Sequence, residues 1–157
     1  MMNQTRRTFL QATMVASTVA VAAGAGLLTP RSVLAAWPKN AFSADSVADA
    51  IKALAGDSSA VESKEIVVEA PDIAENGAVV SVTVKSKAAN TEQISVLVPE
   101  NTNPLCASYI TTDAIDGFVT GRIKMRKTSD VVALVKANGK YLTAKKPVKV
   151  TLGGCGG

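Results

Sequence analysis

The chain has 157 residues, of which 47% are hydrophobic, 19% charged and 4% aromatic, the balance of one modest globular domain with an aliphatic core. Histidine is absent, which excludes a Ser-His-Asp or Cys-His catalytic pair and any His-ligated metal or haem, and two cysteines are too few for a four-thiolate zinc or iron–sulfur site. The formal charge of +4 is no sign of nucleic acid, because the first 36 residues hold Arg6, Arg7 and Arg31 without an acid and the remainder carries 14 bases against 13 acids.

The chain opens with Thr5-Arg6-Arg7-Thr8-Phe9-Leu10, a twin-arginine export pattern with an apolar pair behind it. Gln11 stands where lysine is common. Ala12 to Leu28 is an uncharged Ala-, Val- and Gly-rich stretch, barely long enough to span a bilayer and weakly hydrophobic for its length. Val33-Leu34-Ala35-Ala36 offers a small-residue cleavage site after Ala35 or Ala36. An uncleaved anchor is the competing reading. The paired arginines, weak apolar stretch and Ala-rich exit favour a removed signal over residues 1–36 and a periplasmic protein without a lasting membrane anchor. The twin-arginine route carries proteins that fold before crossing. With no cofactor motif in the chain, a partner assembled before export is the expected reason.

In residues 37–152, Ser43 is expected to cap a short helix in which Val47, Ile51 and Leu54 share one face, with Gly56 as its stop. Asp57 to Ser59 is expected to be a loop. The period then changes from helical to two. Glu65 to Glu69 is a first strand, and Val80, Val82 and Val84 alternate with Ser81, Thr83 and Lys85. Ile94, Val96 and Val98 form the next set, and Leu105 to Thr111 follows. Gly121, Ile123 and Met125 alternate with Arg122, Lys124 and Arg126. Asp130 to Ala137 is almost continuously apolar, as expected of a strand buried on both faces. Asn138-Gly139 is a two-residue hairpin signal. Tyr141 to Ala144 begins the return strand, and Val148, Val150 and Leu152 close the series. Seven or eight strands at this spacing predict a mainly β fold, an immunoglobulin-like β-sandwich preceded by one short helix.

Charge is split along this domain: residues 37–116 carry 5 bases and 12 acids, residues 117–157 carry 9 bases and 1 acid. Pairing of the two halves in sheets is expected to neutralise most of it. A basic face from Arg122, Lys124 and Arg126 would suit an acidic partner or steer anions. Single-stranded nucleic acid is disfavoured by the shortage of aromatic stacking platforms.

The chain ends Gly153-Gly154-Cys155-Gly156-Gly157. Glycine on both sides leaves no neighbouring side chain to pack the cysteine into a core. Three residues beyond Leu152 span at most about 10 Å, so residues 153–157 read as a short, slim swinging arm that ends in a thiol. Nothing beside it in sequence lowers the thiol pKa, expected near about 8.5. Cys155 is thus a poor catalyst but a usable covalent handle, one that enters a narrow active site whose owner supplies the activation. Other readings stay open: an incidental cysteine in a loose terminus, a disulfide with Cys106, or a disulfide between two chains. A prenylation box needs the cysteine fourth from the end, and here it is third. Cys106, in Leu105-Cys106-Ala107-Ser108-Tyr109, reads as a small core residue. A second class of function is a periplasmic immunoglobulin-like interaction module with a redox or dimerisation thiol tether.

The twin-arginine leader, the helix followed by strands, Asn103-Pro104 and the Gly-Gly-Cys-Gly-Gly ending together resemble the SoxY-type thiosulfate carriers of bacterial sulfur oxidation. The terminal motif is the specific part. Cys106 departs from the family pattern and leaves open an inhibitory disulfide with Cys155. The resemblance implies a non-catalytic sulfur-carrier subunit of the Sox system, without cofactor or metal, that carries sulfur intermediates covalently on Cys155. It implies a SoxZ-like partner in a heterodimer. It further implies a c-type haem enzyme (SoxAX-like) that joins thiosulfate to the thiol and a manganese thiohydrolase (SoxB-like) that releases sulfate. In some organisms a sulfane dehydrogenase acts on the remaining sulfur.

Overall fold

The computed structural model of the chain describes residues 38–56, 59–112 and 117–152. The export segment with Arg6 and Arg7, its cleavage site, most of the expected Asp57–Ser59 loop, and the tail Gly153, Gly154, Cys155, Gly156 and Gly157 lie outside the described residues.

Two short helices open the described residues. Helix α1 is a single turn, Lys39–Phe42, and α2 runs Val47–Ala55. Ser43 does not cap the longer helix as expected. It ends α1, its hydroxyl donating to the Lys39 carbonyl at 2.6 Å. Ser46 is the cap: its Oγ accepts from the Asp49 amide at 3.1 Å and donates to the Asp49 carboxylate at 2.6 Å. The reason is spacing. A capping side chain must stand directly before the first helical residue, with its reciprocal partner three positions on. Gly56 closes α2 with φ +64°, a conformation a side chain disfavours.

The strands are β1 Ala60–Glu62, β2 Ile66–Glu69, β3 Ile73–Ala74, β4 Val80–Ser86, β5 Thr91–Leu97, β6 Leu105–Ile110, β7 Phe118–Ile123, β8 Ser129–Ala137 and β9 Lys140–Val150. The larger sheet has the order β1-β9-β8-β5-β6, with β3 also pairing β9; the smaller is β2-β4-β7. Strands β1 and β3 pair β9 in parallel, and the other pairs are antiparallel. At three and two residues, β1 and β3 are too short to show an alternation, and the sequence pattern did not reveal them. Strand β9, expected as two pieces, is one run of 11 residues through Pro147. The proline falls between the registers of β1, which ends opposite Thr143, and β3, which begins opposite Lys149. There the outer edge of β9 has no partner strand and a missing donor costs nothing.

The two sheets face each other as an immunoglobulin-like sandwich. Val80, Val82 and Val84 of β4 pack against Ile94 and Val96 of β5 and Val131, Ala133 and Val135 of β8. A second cluster lies on the opposite face of the larger sheet, where Leu97, Leu105, Leu134 and Tyr141 meet Ala41, Ala50 and Ala55 of the helical segment. The Tyr141 hydroxyl donates to the Leu54 carbonyl at 2.9 Å, so the one polar atom of that ring is satisfied. Strand β8 is therefore covered on both faces, which accounts for its unbroken apolar run. Burial of each such aliphatic side chain contributes on the order of 1.5–3 kcal/mol.

Asn138 and Gly139 both have positive φ, +50° and +69°, as a tight hairpin joining β8 to β9 demands. Of the four ion pairs among the described residues, three join an acid of the first half to a lysine of the second: Glu100–Lys127, Glu92–Lys136 and Asp72–Lys146. Three of the nine bases of residues 117–157 are thus matched to acids of the first half among the described residues, so the neutralisation expected from pairing of the halves is only partial. Among the described residues no helix is long and apolar enough to cross a membrane.

Candidate functional site

The described chain ends at Leu152, directly before the glycines that flank Cys155, and the way β9 is held there fixes the root of the tail. The Thr151 amide donates to the Ala74 carbonyl at 3.1 Å, and the Thr151 hydroxyl donates to the Glu75 carbonyl at 2.9 Å. The Gly77 amide donates to the Leu152 carbonyl at 2.8 Å, while the Gly77 carbonyl accepts from the Met125 amide at 2.7 Å. On the other side of β9, the Val150 amide donates to Thr128 Oγ1 at 3.0 Å. Two segments thus hold the final residues, the end of β3 with the turn after it and Thr128 just before β8, while Met125 beyond β7 braces that turn through Gly77. The turn is preorganised by Asn76, whose Oδ1 accepts from the Ala78 amide at 2.8 Å, a local side-chain-to-backbone bond that holds the bend. Leu152 itself is 69% exposed.

None of Gly77, Thr128, Glu75 and Asn76 was a candidate from sequence. The Asn76-Gly77 pair is a turn signal of the same kind as Asn138-Gly139 and marks the bend, but its contact with Leu152 joins residues 75 positions apart and no local pattern encodes it.

Arg122, Lys124 and Arg126 are exposed. Arg122 lies on the outer face of the smaller sheet, in register with Ser81. Lys124 and Arg126 lie beyond β7, on either side of the buried Met125, and so beside the root of the tail. Neither they nor Lys149 take part in an ion pair among the described residues. An open groove of about 530 Å³ runs along the end of β9, lined by Asp72, Glu100, Thr128, Asp130, Pro147 and Lys149 among others. The Asp72 carboxyl is held below its ordinary range by the hydrogen bond and charge of Lys146.

Cys106 is a free thiol, half-buried against the inter-sheet core. Asn101 Nδ2 donates to its sulfur at 3.4 Å and to the Lys124 carbonyl at 2.7 Å, and Asn101 Oδ1 accepts from the Arg126 amide at 2.9 Å. The sulfur donates in turn toward the carbonyl of the fully buried Pro104. Burial pushes the Cys106 thiol pKa up, against smaller opposing contributions from the hydrogen bonds of Asn101 and the Val98 backbone. A protonated, enclosed sulfur of this kind is a packing residue, as the sequence suggested. Among the described residues no group of three or more Cys, Asp or Glu side chains is placed to hold a metal ion.

Against known proteins, the family model "Sulfur oxidation protein SoxY" matches residues 51–155. The solved structure of the sulfur carrier protein SoxY from Chlorobium limicola f thiosulfatophilum is 40% identical, covering 73% of this chain and 99% of that one, with a TM-score of 0.63. A superoxide reductase (neelaredoxin) from Ignicoccus hospitalis is 20% identical over 57% of this chain and 82% of that one, with a TM-score of 0.49, too distant to bear on function. No curated protein matches the chain.

Proposed function

Because the chain belongs to the SoxY family of sulfur carriers, we propose that it is the carrier subunit of a thiosulfate-oxidising system and holds its cargo covalently on Cys155. The observation that carries this reading is the extent of the family match: it runs through the whole sandwich and ends on Cys155 itself. The anchored end of β9 supports it, since a tail leaving a fixed point delivers its thiol from a defined place.

The chemistry follows from a thiol with no activating base of its own. In the loading step the thiol of Cys155 and thiosulfate lose one proton and two electrons, and a sulfur–sulfur bond forms to give Cys–S–S–SO₃⁻. The electrons pass to the haem of a SoxAX-like enzyme. In the release step water cleaves the bond between the sulfane sulfur and the sulfone at a SoxB-like thiohydrolase. Sulfate and a proton leave, and a persulfide, Cys–S–SH, stays on the carrier. A sulfane dehydrogenase is the enzyme class that would oxidise that remaining sulfur. The carrier contributes reach, a slim glycine sheath and a sulfur of ordinary reactivity; it catalyses no step and needs no cofactor or metal. Ordering the arm in each enzyme costs roughly 1–2 kcal/mol per residue fixed, which keeps the encounters short-lived.

Arg6 and Arg7 support export to the periplasm by the twin-arginine route, and export in the folded state suits a heterodimer with a SoxZ-like subunit. The test is Cys155→Ser in the full complex. Thiosulfate-dependent turnover is expected to vanish while the fold and the partner complex persist. Turnover that survives the substitution, or a purified protein that is only a Cys155-linked homodimer without a second subunit, overturns the reading in favour of a thiol-tethered interaction module.

A further inference from the structure

We propose that Asn76 is a site of spontaneous chemical modification, where the Gly77 amide nitrogen closes on the Asn76 side chain to leave aspartate or isoaspartate, and that the hydrogen bond from Gly77 to Leu152 governs its rate. The inference goes beyond the carrier reading and does not depend on what Cys155 holds.

Two asparagines of the chain precede a glycine, Asn76 and Asn138. Glycine has no side chain to shield its amide nitrogen, so at these positions that nitrogen most readily attacks the side-chain carbonyl carbon before it. A bond forms between the Gly77 nitrogen and Asn76 Cγ, and the bond from Cγ to Nδ2 breaks. Nδ2 leaves as ammonia, taking the proton that the Gly77 nitrogen gives up. The cyclic imide then adds one water at either carbonyl and opens to aspartate or isoaspartate. No oxidant or cofactor is consumed.

Two features favour Asn76. Its Oδ1 accepts from the Ala78 amide at 2.8 Å, a bond that closes a ring through Gly77 and folds the side chain back over the Gly77 amide. The same donor stabilises the charge that Oδ1 gains when the nitrogen attacks. Asn76 is also exposed, and its Nδ2 has no hydrogen-bond partner among the described residues, so ammonia leaves and water enters unhindered. One feature opposes the reaction. Gly77 is buried, and its amide donates to the Leu152 carbonyl at 2.8 Å. A proton engaged in that bond is hard to remove, so the reaction waits for the bond to open.

Asn138 is held differently. Its Nδ2 donates to the Ala89 carbonyl at 2.9 Å and its Oδ1 accepts from Asn90 Nδ2 at 2.8 Å, which ties the side chain to another loop. The Gly139 amide donates to the Glu92 carboxylate at 3.2 Å, whose charge opposes formation of an amide anion.

The change at Asn76 acts on the root of the tail. While the imide stands, the Gly77 nitrogen carries no hydrogen and the Leu152 carbonyl has lost its donor. Isoaspartate then adds a backbone carbon between residues 76 and 77, which moves Gly77 out of register with Leu152. Opening of the anchor promotes the modification, and the modification keeps the anchor open.

The experiment incubates the full-length protein at mildly alkaline pH and follows residues 76 and 138 by peptide mapping and isoaspartate-specific methylation. Asn76 is expected to convert ahead of Asn138 in the folded protein, and the two to convert at similar rates in urea. Thr128→Val/Thr151→Val removes side-chain bonds that hold the end of β9. It is expected to speed conversion at Asn76 about 2- to 10-fold, the rise in open population that follows loss of one such bond, and to leave Asn138 unchanged. Hydrogen exchange at Val135 checks that the variant is folded, and Thr128→Val alone is the milder change with the same expected direction. The modified fraction is expected to exchange faster at Thr151 than the unmodified one. Conversion at Asn76 no faster than at Asn138 in the folded wild type overturns the site. An Asn76 rate that the folded variants leave unchanged overturns the control by Leu152.

Discussion

The amide of Gly77 donates to the carbonyl of Leu152 at 2.8 Å, so the residue before the Gly-Gly-Cys-Gly-Gly ending is tied to a turn 75 positions earlier in the chain. With the Thr151–Glu75 and Val150–Thr128 bonds, this turns the end of β9 into a fixed post. Thr128→Val removes the side-chain acceptor of the Val150 amide. Because the site is exposed, water takes over part of the bond, and the cost is about 0.5–1.5 kcal/mol. Hydrogen exchange is expected to quicken at Val150 and to stay unchanged at Val135.

The glycines beside Cys155 are argued to act by slimness. Gly154→Val is therefore expected to leave the thiol as reactive toward a small alkylating reagent as in wild type, while lowering kcat/KM with the conjugating enzyme by roughly 100-fold, the scale of a misplaced reacting group. Alkylation and conjugation rates measured on the same preparation separate the two effects.

Its enclosure sets Cys106 apart from an ordinary cysteine, and pH reveals it. Burial raises the Cys106 pKa, so its thiolate fraction at any pH below that value is smaller than that of an ordinary cysteine. Peptide mapping after brief iodoacetamide treatment at pH 7–8 is expected to find Cys155 modified and Cys106 largely spared, with Cys106 labelled only at higher pH or after unfolding. Spontaneous oxidation to a Cys106–Cys155 disulfide in the folded protein would contradict this.

The β8–β9 hairpin carries a pH-sensitive tie. The Glu92 carboxylate accepts from Lys136 and from the Gly139 amide, and these bonds hold its pKa down, with the Lys136 bond the larger cause. The Lys136 pKa is raised by the same partner. A lowered acid pKa stabilises the fold above the unfolded value of about 4.3, and that contribution fades as pH falls through the folded value. A raised lysine pKa stabilises below about 10.4 and fades as pH climbs through the folded value. Side-chain NMR titration is expected to place Glu92 below an ordinary glutamate, and Glu92→Gln to remove the shift at Lys136.

Much of this was legible in the chain. The Val80-Val82-Val84 alternation, the unbroken Asp130–Ala137 run and the Asn138-Gly139 turn each encode local geometry through side-chain period or backbone freedom, and each element appears where expected. Two serines precede the same apolar face, and only the partner at Asp49 decides for Ser46 over Ser43 as the cap. Strands β1 and β3, at three and two residues, carry no period. The anchor at Gly77 and the Asn101 bridge between Cys106 and Lys124 join distant segments, and the sequence records only the residues that meet.

The central claim is tested most directly by mass spectrometry of the C-terminal peptide after the full-length carrier complex is incubated with thiosulfate and its haem enzyme. The account predicts one thiosulfate-derived adduct on Cys155, lost on reduction and absent from Cys155→Ser. An adduct on Cys106, or an unmodified C-terminal peptide after thiosulfate has been consumed, would contradict it.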